Sequence, residues 1–183
     1  MKVMSSFAPL FLIALSTTSA VAAGEKLPVG NPDFANVAVQ CGEGYAYQTS
    51  GGATCTNRDC PAQALDSAPG IHWVFGPHIP FNFGSGLTLP NTGFNPPPFT
   101  GLPFSCAAFL QGAGSEVSQL IVGFVAGRPY QLSFYLGSRY TYDGGNQSIA
   151  AYIDAHLVGT WTLVDYTPFT IRKVYFEVPT SGA

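Results

Sequence analysis

Tyr130-Gln131-Leu132-Ser133-Phe134-Tyr135-Leu136 decides the fold class. Tyr130, Leu132, Phe134 and Leu136 alternate with Gln131, Ser133 and Tyr135, the period of two that marks a strand with one face in a core. Gly127-Arg128-Pro129 ahead of it supplies a turn, and the polar run Asp143-Gly144-Gly145-Asn146 follows it as a loop. Further downstream, Ser148 to Asp154 reads as a strand that turns at Asp154-Ala155-His156 and returns through Leu157 to Leu163. Phe169 to Val178 forms another. Upstream, Val117 to Val122 and the short run Ile71-His72-Trp73-Val74-Phe75 carry β-prone residues. No helical periodicity of useful length occurs past the first residues. Short strands joined by turns in this way predict an all-β, antiparallel sandwich or barrel.

Outside this region the chain changes character. Between Gly76 and Phe104 lie seven prolines, including Pro96-Pro97-Pro98, whose missing amide hydrogens exclude a central strand, so a long surface loop is expected over 76–104. Its phenylalanines, Phe81, Phe83, Phe94, Phe99 and Phe104, are expected to fold back over a sheet; exposed together they would make an apolar patch. From Gly24 to Cys60 the chain is polar and Gly-rich, with Val37-Ala38-Val39 as a candidate opening strand. The first 23 residues have the form of an export signal: Lys2, an apolar run from Phe7 to Leu15, then Ser19-Ala20-Val21-Ala22-Ala23. Cleavage near Ala23 is expected, which places the protein outside the cell, at the cell surface or in the periplasm. The apolar run falls short of the roughly 20 residues of a membrane helix and no later run approaches it, so no membrane span is expected.

About 160 residues then remain, enough for one domain, 24–183. Charged residues make up 9% of the chain and aromatics 14%, while 21 Gly and 15 Pro suit many turns. Without Lys2, six basic residues stand against ten acidic ones, a net charge near −4, and nothing basic is dense enough to track a phosphate backbone. Nucleic acid is therefore not an expected partner. Cys41, Cys55, Cys60 and Cys106 all follow the signal, where an oxidising compartment favours two disulfides. Three connectivities are open; the favoured one closes a small loop between Cys55 and Cys60 and ties Cys41 to Cys106. No Cys-x-x-Cys pair supports zinc, and no metal is assigned.

Several motifs occur in a recognisable order: Asn31-Pro32-Asp33-Phe34, Trp73-Val74-Phe75, Ala108-Phe109-Leu110-Gln111-Gly112, Val117-Ser118-Gln119, Tyr130 to Phe134 with Arg139 after it, Gly145-Asn146-Gln147, Tyr152-Ile153-Asp154 and Val158-Gly159-Thr160. In that order the chain resembles a bacterial secreted family of galactose-binding-like jelly rolls, similar in architecture to carbohydrate-binding modules and to plant cell-wall proteins. The likeness is clearest from Ala108 to Val178. It implies an antiparallel β-sandwich that recognises carbohydrate. Members of that family usually carry Gly after the Asp of the Ile-Asp turn, where Ala155 stands here, so a longer or differently shaped turn is expected. They also continue past the position of Val178 with a further strand, so the sandwich is expected to lack its last strand. A structural calcium between loops is compatible with such modules, with Asp33 able to contribute. No other cofactor is expected.

No catalytic constellation is present: Gly-x-Ser-x-Gly, His-Glu-x-x-His and a phosphate loop are absent, and Asp143, Asp154, Asp165 and Glu177 cannot be paired as glycosidase carboxylates from sequence. The reading is therefore a non-catalytic protein. Sugars offer apolar faces to aromatic rings and hydroxyls to planar donors and acceptors. Arg139, Tyr140, Tyr142, Asp143, Asn146 and Gln147 supply that mixture in one loop, with Gln111 and Trp73 as further ligand-binding candidates. The plainer alternative has Tyr140 and Tyr142 capping the sheets and Arg139 paired with an acid such as Asp154. Trp73 and Trp161, each in a strand-like run, are more often core than platform. The expected partner is a carbohydrate polymer; the alternative is a structural or adhesive surface protein that contacts another protein or itself.

Overall fold

The structure, a computed structural model, describes residues 2–5, 11–14, 27, 29–30, 34, 45–49, 52–55, 73–76, 84–90, 96–139 and 147–178. Every regular element among them is a strand: β1 (Lys2–Ser5), β2 (Phe11–Ala14), β3 (Tyr45–Thr49), β4 (Gly52–Cys55), β5 (Val74–Gly76), β6 (Gly84–Thr88), β7 (Ala107–Gln111), β8 (Glu116–Ser118), β9 (Pro129–Ser138), β10 (Gln147–Ile153), β11 (His156–Leu163) and β12 (Thr170–Glu177). They form a five-stranded sheet in the order β11-β10-β1-β8-β5 and a seven-stranded sheet in the order β12-β9-β2-β7-β6-β3-β4. All pairs are antiparallel. No helix among the described residues is long and apolar enough to cross a membrane.

The alternation from Tyr130 to Leu136 produces β9. Tyr130, Leu132, Phe134 and Leu136 are all buried, and β12 pairs along it from Thr170 opposite Leu136 to Glu177 opposite Pro129. Directly opposed residues share a face, so Val174 and Phe176 extend the apolar row begun by Leu132 and Tyr130. From the other sheet, Phe75, Val117, Ile149, Ala151 and Leu163 enter the same buried cluster as Leu87, Ala108, Leu110, Leu132, Phe134 and Leu136. Each fully buried Leu, Ile or Phe in it contributes about 1.5–3 kcal/mol relative to exposure.

The Ile-Asp turn stays short. Ile153 pairs with His156, leaving only Asp154 and Ala155 in the loop. Asp154 takes a φ of 52°, whereas Ala155 is not among the positive-φ residues. A turn of type I′ needs positive φ at both positions, so replacing its glycine by alanine changes the shape of the loop and not its length. The register shifts between Ala151 and Tyr152, which leaves Val158 as the extra residue on β11.

The run from Val117 stops pairing at Ser118, earlier than its β-propensity predicts. Beyond it, the Gln119 amide takes the place of a ladder rung: Gly30 N–H donates to Oε1 at 3.0 Å, and Nε2 donates to the Gly30 carbonyl at 2.7 Å. The chain then loops out, with Val125 N–H donating to the Tyr130 hydroxyl at 2.7 Å, and re-enters through Gly127, whose N–H donates to the Val178 carbonyl at 2.9 Å.

Inside the proline-rich segment runs a strand that the proline count hides. β6 falls in the proline-free interval between Pro80 and Pro90, where every backbone N–H is available, and it pairs with both β3 and β7. The end of the segment folds back as expected. Phe99, Phe104 and Phe169 pack with ring centroids 5.2–5.3 Å apart and Tyr135 lies 5.4 Å from Phe104; with Ala107 and Phe109 they cluster on the face of the seven-stranded sheet opposite the larger cluster. Phe81, Phe83, Phe94 and the expected strand at Val37-Ala38-Val39 lie outside the described residues.

Two of the strands come from the segment with the form of an export signal. β1 lies between β8 and β10, and β2 between β7 and β9, so each occupies an interior position of its sheet.

Candidate functional site

One end of the molecule gathers the terminus of β7, the terminus of β9 and the start of β10. Phe11 pairs with both Leu110 and Ser138, which sets the ends of β7 and β9 level. Gln111 and Arg139 therefore stand at one height, two strand spacings or roughly 9–10 Å apart along the sheet. Gln111 is held where Ser115 Oγ donates to its carbonyl. Gln147 opens β10 after the intervening loop, opposite Leu163.

The backbone at Arg139 is fixed by the turn that joins β11 to β12. Ser138 is fully buried; its N–H donates to the Thr167 carbonyl at 3.0 Å and its hydroxyl to the Val164 carbonyl at 2.6 Å, while Thr167 N–H donates to Ser138 Oγ at 2.8 Å. Tyr166, at a φ of 52°, donates its N–H to the Arg139 carbonyl at 3.2 Å. A non-glycine residue in this region costs free energy, which the surrounding hydrogen bonds offset. The result is that the β11–β12 turn clamps the end of β9.

Gln147 is 0% exposed, and neither Oε1 nor Nε2 has a hydrogen-bond partner among the described residues. It shares a face with Ile149, which lies opposite Trp161. The half-buried Trp161 ring meets Phe134 edge-on, centroids 4.9 Å apart at 89°, and lies over Gly159 so closely that a Cβ there would be 2.5 Å from a ring carbon. On the neighbouring β12, opposite Phe134, stands Arg172, whose Nε is buried without a hydrogen bond among the described residues. An amide offering one acceptor and two donors, with Trp161 one pair further along the same face, matches the chemistry of hydroxyl groups on an apolar ring.

Of the predicted ligand contacts, Arg139, Gln147 and Gln111 come to this one end. Trp73 does not. It is fully buried in the larger cluster, 5.3 Å from Phe34, alongside the Val74 to Ser118 pairing. Tyr140, Tyr142, Asp143 and Asn146 lie outside the described residues. Asp154, the acid suggested for Arg139, is exposed in the turn at the far end of β10 from Gln147. Cys106 is buried and Cys55 belongs to β4, while Cys41 and Cys60 lie outside the described residues, as does Asp33. No group of three metal-ligating residues occurs among the described residues.

Arg172 went unnoticed in the sequence, although the signal was there: it has the parity of Val174 and Phe176, which turn inward. Comparisons with protein families, with curated proteins and with solved structures find no match for this chain.

Proposed function

We propose that the two sheets face each other as a β-sandwich of the galactose-binding-like jelly-roll kind, and that the protein is a secreted, non-catalytic carbohydrate-binding module for an extracellular or envelope polysaccharide. The observation that carries the reading is the Gln147 amide, buried with both polar atoms unpartnered among the described residues, at the end where Arg139 and Gln111 also stand. A buried, unsatisfied amide costs about 1–3 kcal/mol, and a site that must receive sugar hydroxyls is one reason to keep it. The Trp161 ring, edge-on to Phe134, and Arg172, paired opposite Phe134 on β12, are the apolar and charged groups that such a ligand would use.

Affinity electrophoresis through gels holding a panel of soluble polysaccharides tests this. Retardation by one glycan is expected, with its loss in Gln147→Met and in Arg139→Ala. A folded protein that no glycan retards removes the reading.

A second reading, a surface protein that contacts other proteins, has its own support. Leu120 is 89% and Val122 66% exposed, neighbours on the loop after β8, and Tyr175 on β12 is 73% exposed. Concentration-dependent light scattering that a Leu120→Ser, Val122→Ser variant abolishes would favour it.

A further inference from the structure

We propose that the interior positions now taken by β1 and β2 are strand-acceptor slots, and that once residues 1–23 are removed a separate polypeptide fills both with one extended segment. The starting point is position. β1 pairs over four residues with β10 and over three with β8; β2 pairs over three with β7 and over four with β9. Neither is a peripheral ribbon. Removing both splits the five-stranded sheet into β11-β10 and β8-β5, and the seven-stranded sheet into β12-β9 and β7-β6-β3-β4.

The lips left behind are not surfaces that water can satisfy. Val117 and Ile149 with Ala151 line one gap, Ala108 and Leu110 with Leu136 the other, and all of them are buried in the one shared cluster. Their strands would turn unpaired N–H and C=O groups into gaps about 9.5 Å wide, two strand spacings, within an apolar interior.

Direct closure meets a geometrical obstacle. β8 and β10 are each antiparallel to β1, so they run parallel to one another; β7 and β9 stand in the same relation through β2. Closing up would place a parallel pair inside each otherwise antiparallel sheet, and both sheets would have to close together over a common core. A strand antiparallel to both lips restores every rung.

The present occupant specifies the donor. Two proline-free strands of four residues are separated by the five residues 6–10, so one segment of about thirteen residues serves both sheets. The described strands of a second copy are all committed to their own sheets, which points to a different chain.

The protein is exported with its own leader from a bacterial host, its intact mass is measured, and a synthetic peptide of residues 1–16 is added as probe. The expected result is a chain beginning near Gly24 that binds the peptide one to one and gains roughly 5–10 °C in Tm at saturation. A peptide carrying Met4→Pro and Leu12→Pro should not bind, because proline cannot complete the ladder. If the leader-free chain aggregates, refolding with the unmodified peptide should recover a soluble one-to-one complex, and failure of that rescue overturns the proposal. A mass that retains residues 1–23 overturns it, since the slots are then filled permanently in cis. A monomeric, cooperatively folding chain that ignores the peptide overturns it by showing that the sheets close unaided. Self-association that the peptide does not reverse overturns it in favour of a second copy.

Discussion

Two buried glutamines show how differently the molecule treats the same side chain. Gln119, 5% exposed, spends its amide on both backbone groups of Gly30, a residue 89 positions away, and so fastens the early chain to the loop after β8. Gln147, 0% exposed, has no partner for either amide atom among the described residues. The first is a structural fastening whose value lies in what it satisfies. The second is an unbalanced cost in the protein as it stands, and the contrast teaches that burial of a polar group says nothing of its role until its partners are counted.

The sharpest way to break this contrast is Gln119→Leu. It strands the Gly30 N–H and carbonyl and should lower unfolding stability by about 2–3 kcal/mol in urea titration. A change under about 0.5 kcal/mol would mean that the pair is not a fastening. Gly159→Ala probes the other end. Its Cβ would meet the Trp161 ring at 2.5 Å, so the indole must move off Phe134, at a cost of about 1–3 kcal/mol and with altered tryptophan fluorescence. An unshifted emission spectrum would show that the ring position is not tied to that glycine.

Gln147→Met should go the other way. It keeps the shape, removes the unpaired amide and should raise stability by about 1 kcal/mol while abolishing glycan retardation. Destabilisation by that variant would show that the amide is satisfied in solution, through water for instance, and the two glutamines would then be alike. Asp154→Gly, at the far end of β10, should add only about 0.5 kcal/mol by relieving the positive φ, and should leave glycan retardation unchanged. Loss of retardation in that variant would detach the binding reading from the Gln147 end.

The all-β character was legible because the strongest strand signal is local. Tyr130 to Leu136 alternates without interruption, and the strand formed there is the longest among the described residues. The expected return after Ile153 and the strand after Phe169 follow the same logic. β6 was hidden because proline was counted over the whole 76–104 interval, when what matters is whether a proline falls within five consecutive residues. The end of β8 was missed because no local pattern announces that Gln119 will pair with Gly30. For the candidate site, residue chemistry brought out Arg139, Gln147 and Gln111, which stand at the ends of β9 and β7 and the start of β10. Trp73 had the right chemistry in the wrong place: its alternation with Phe75 around the exposed Val74 is the pattern of a core residue.

Arg172 has a consequence beyond the candidate site. β12 is the outermost described strand of the seven-stranded sheet, and Arg172 and the exposed Lys173 put a cation on each of its two faces. Two copies laid edge to edge and antiparallel about this pair would bring positive side chains against one another, and a charge turned inward on an outer strand resists continuation of the sheet. Growth into a fibre through this border is self-limiting: each molecule carries at its margin the repulsion that ends the array.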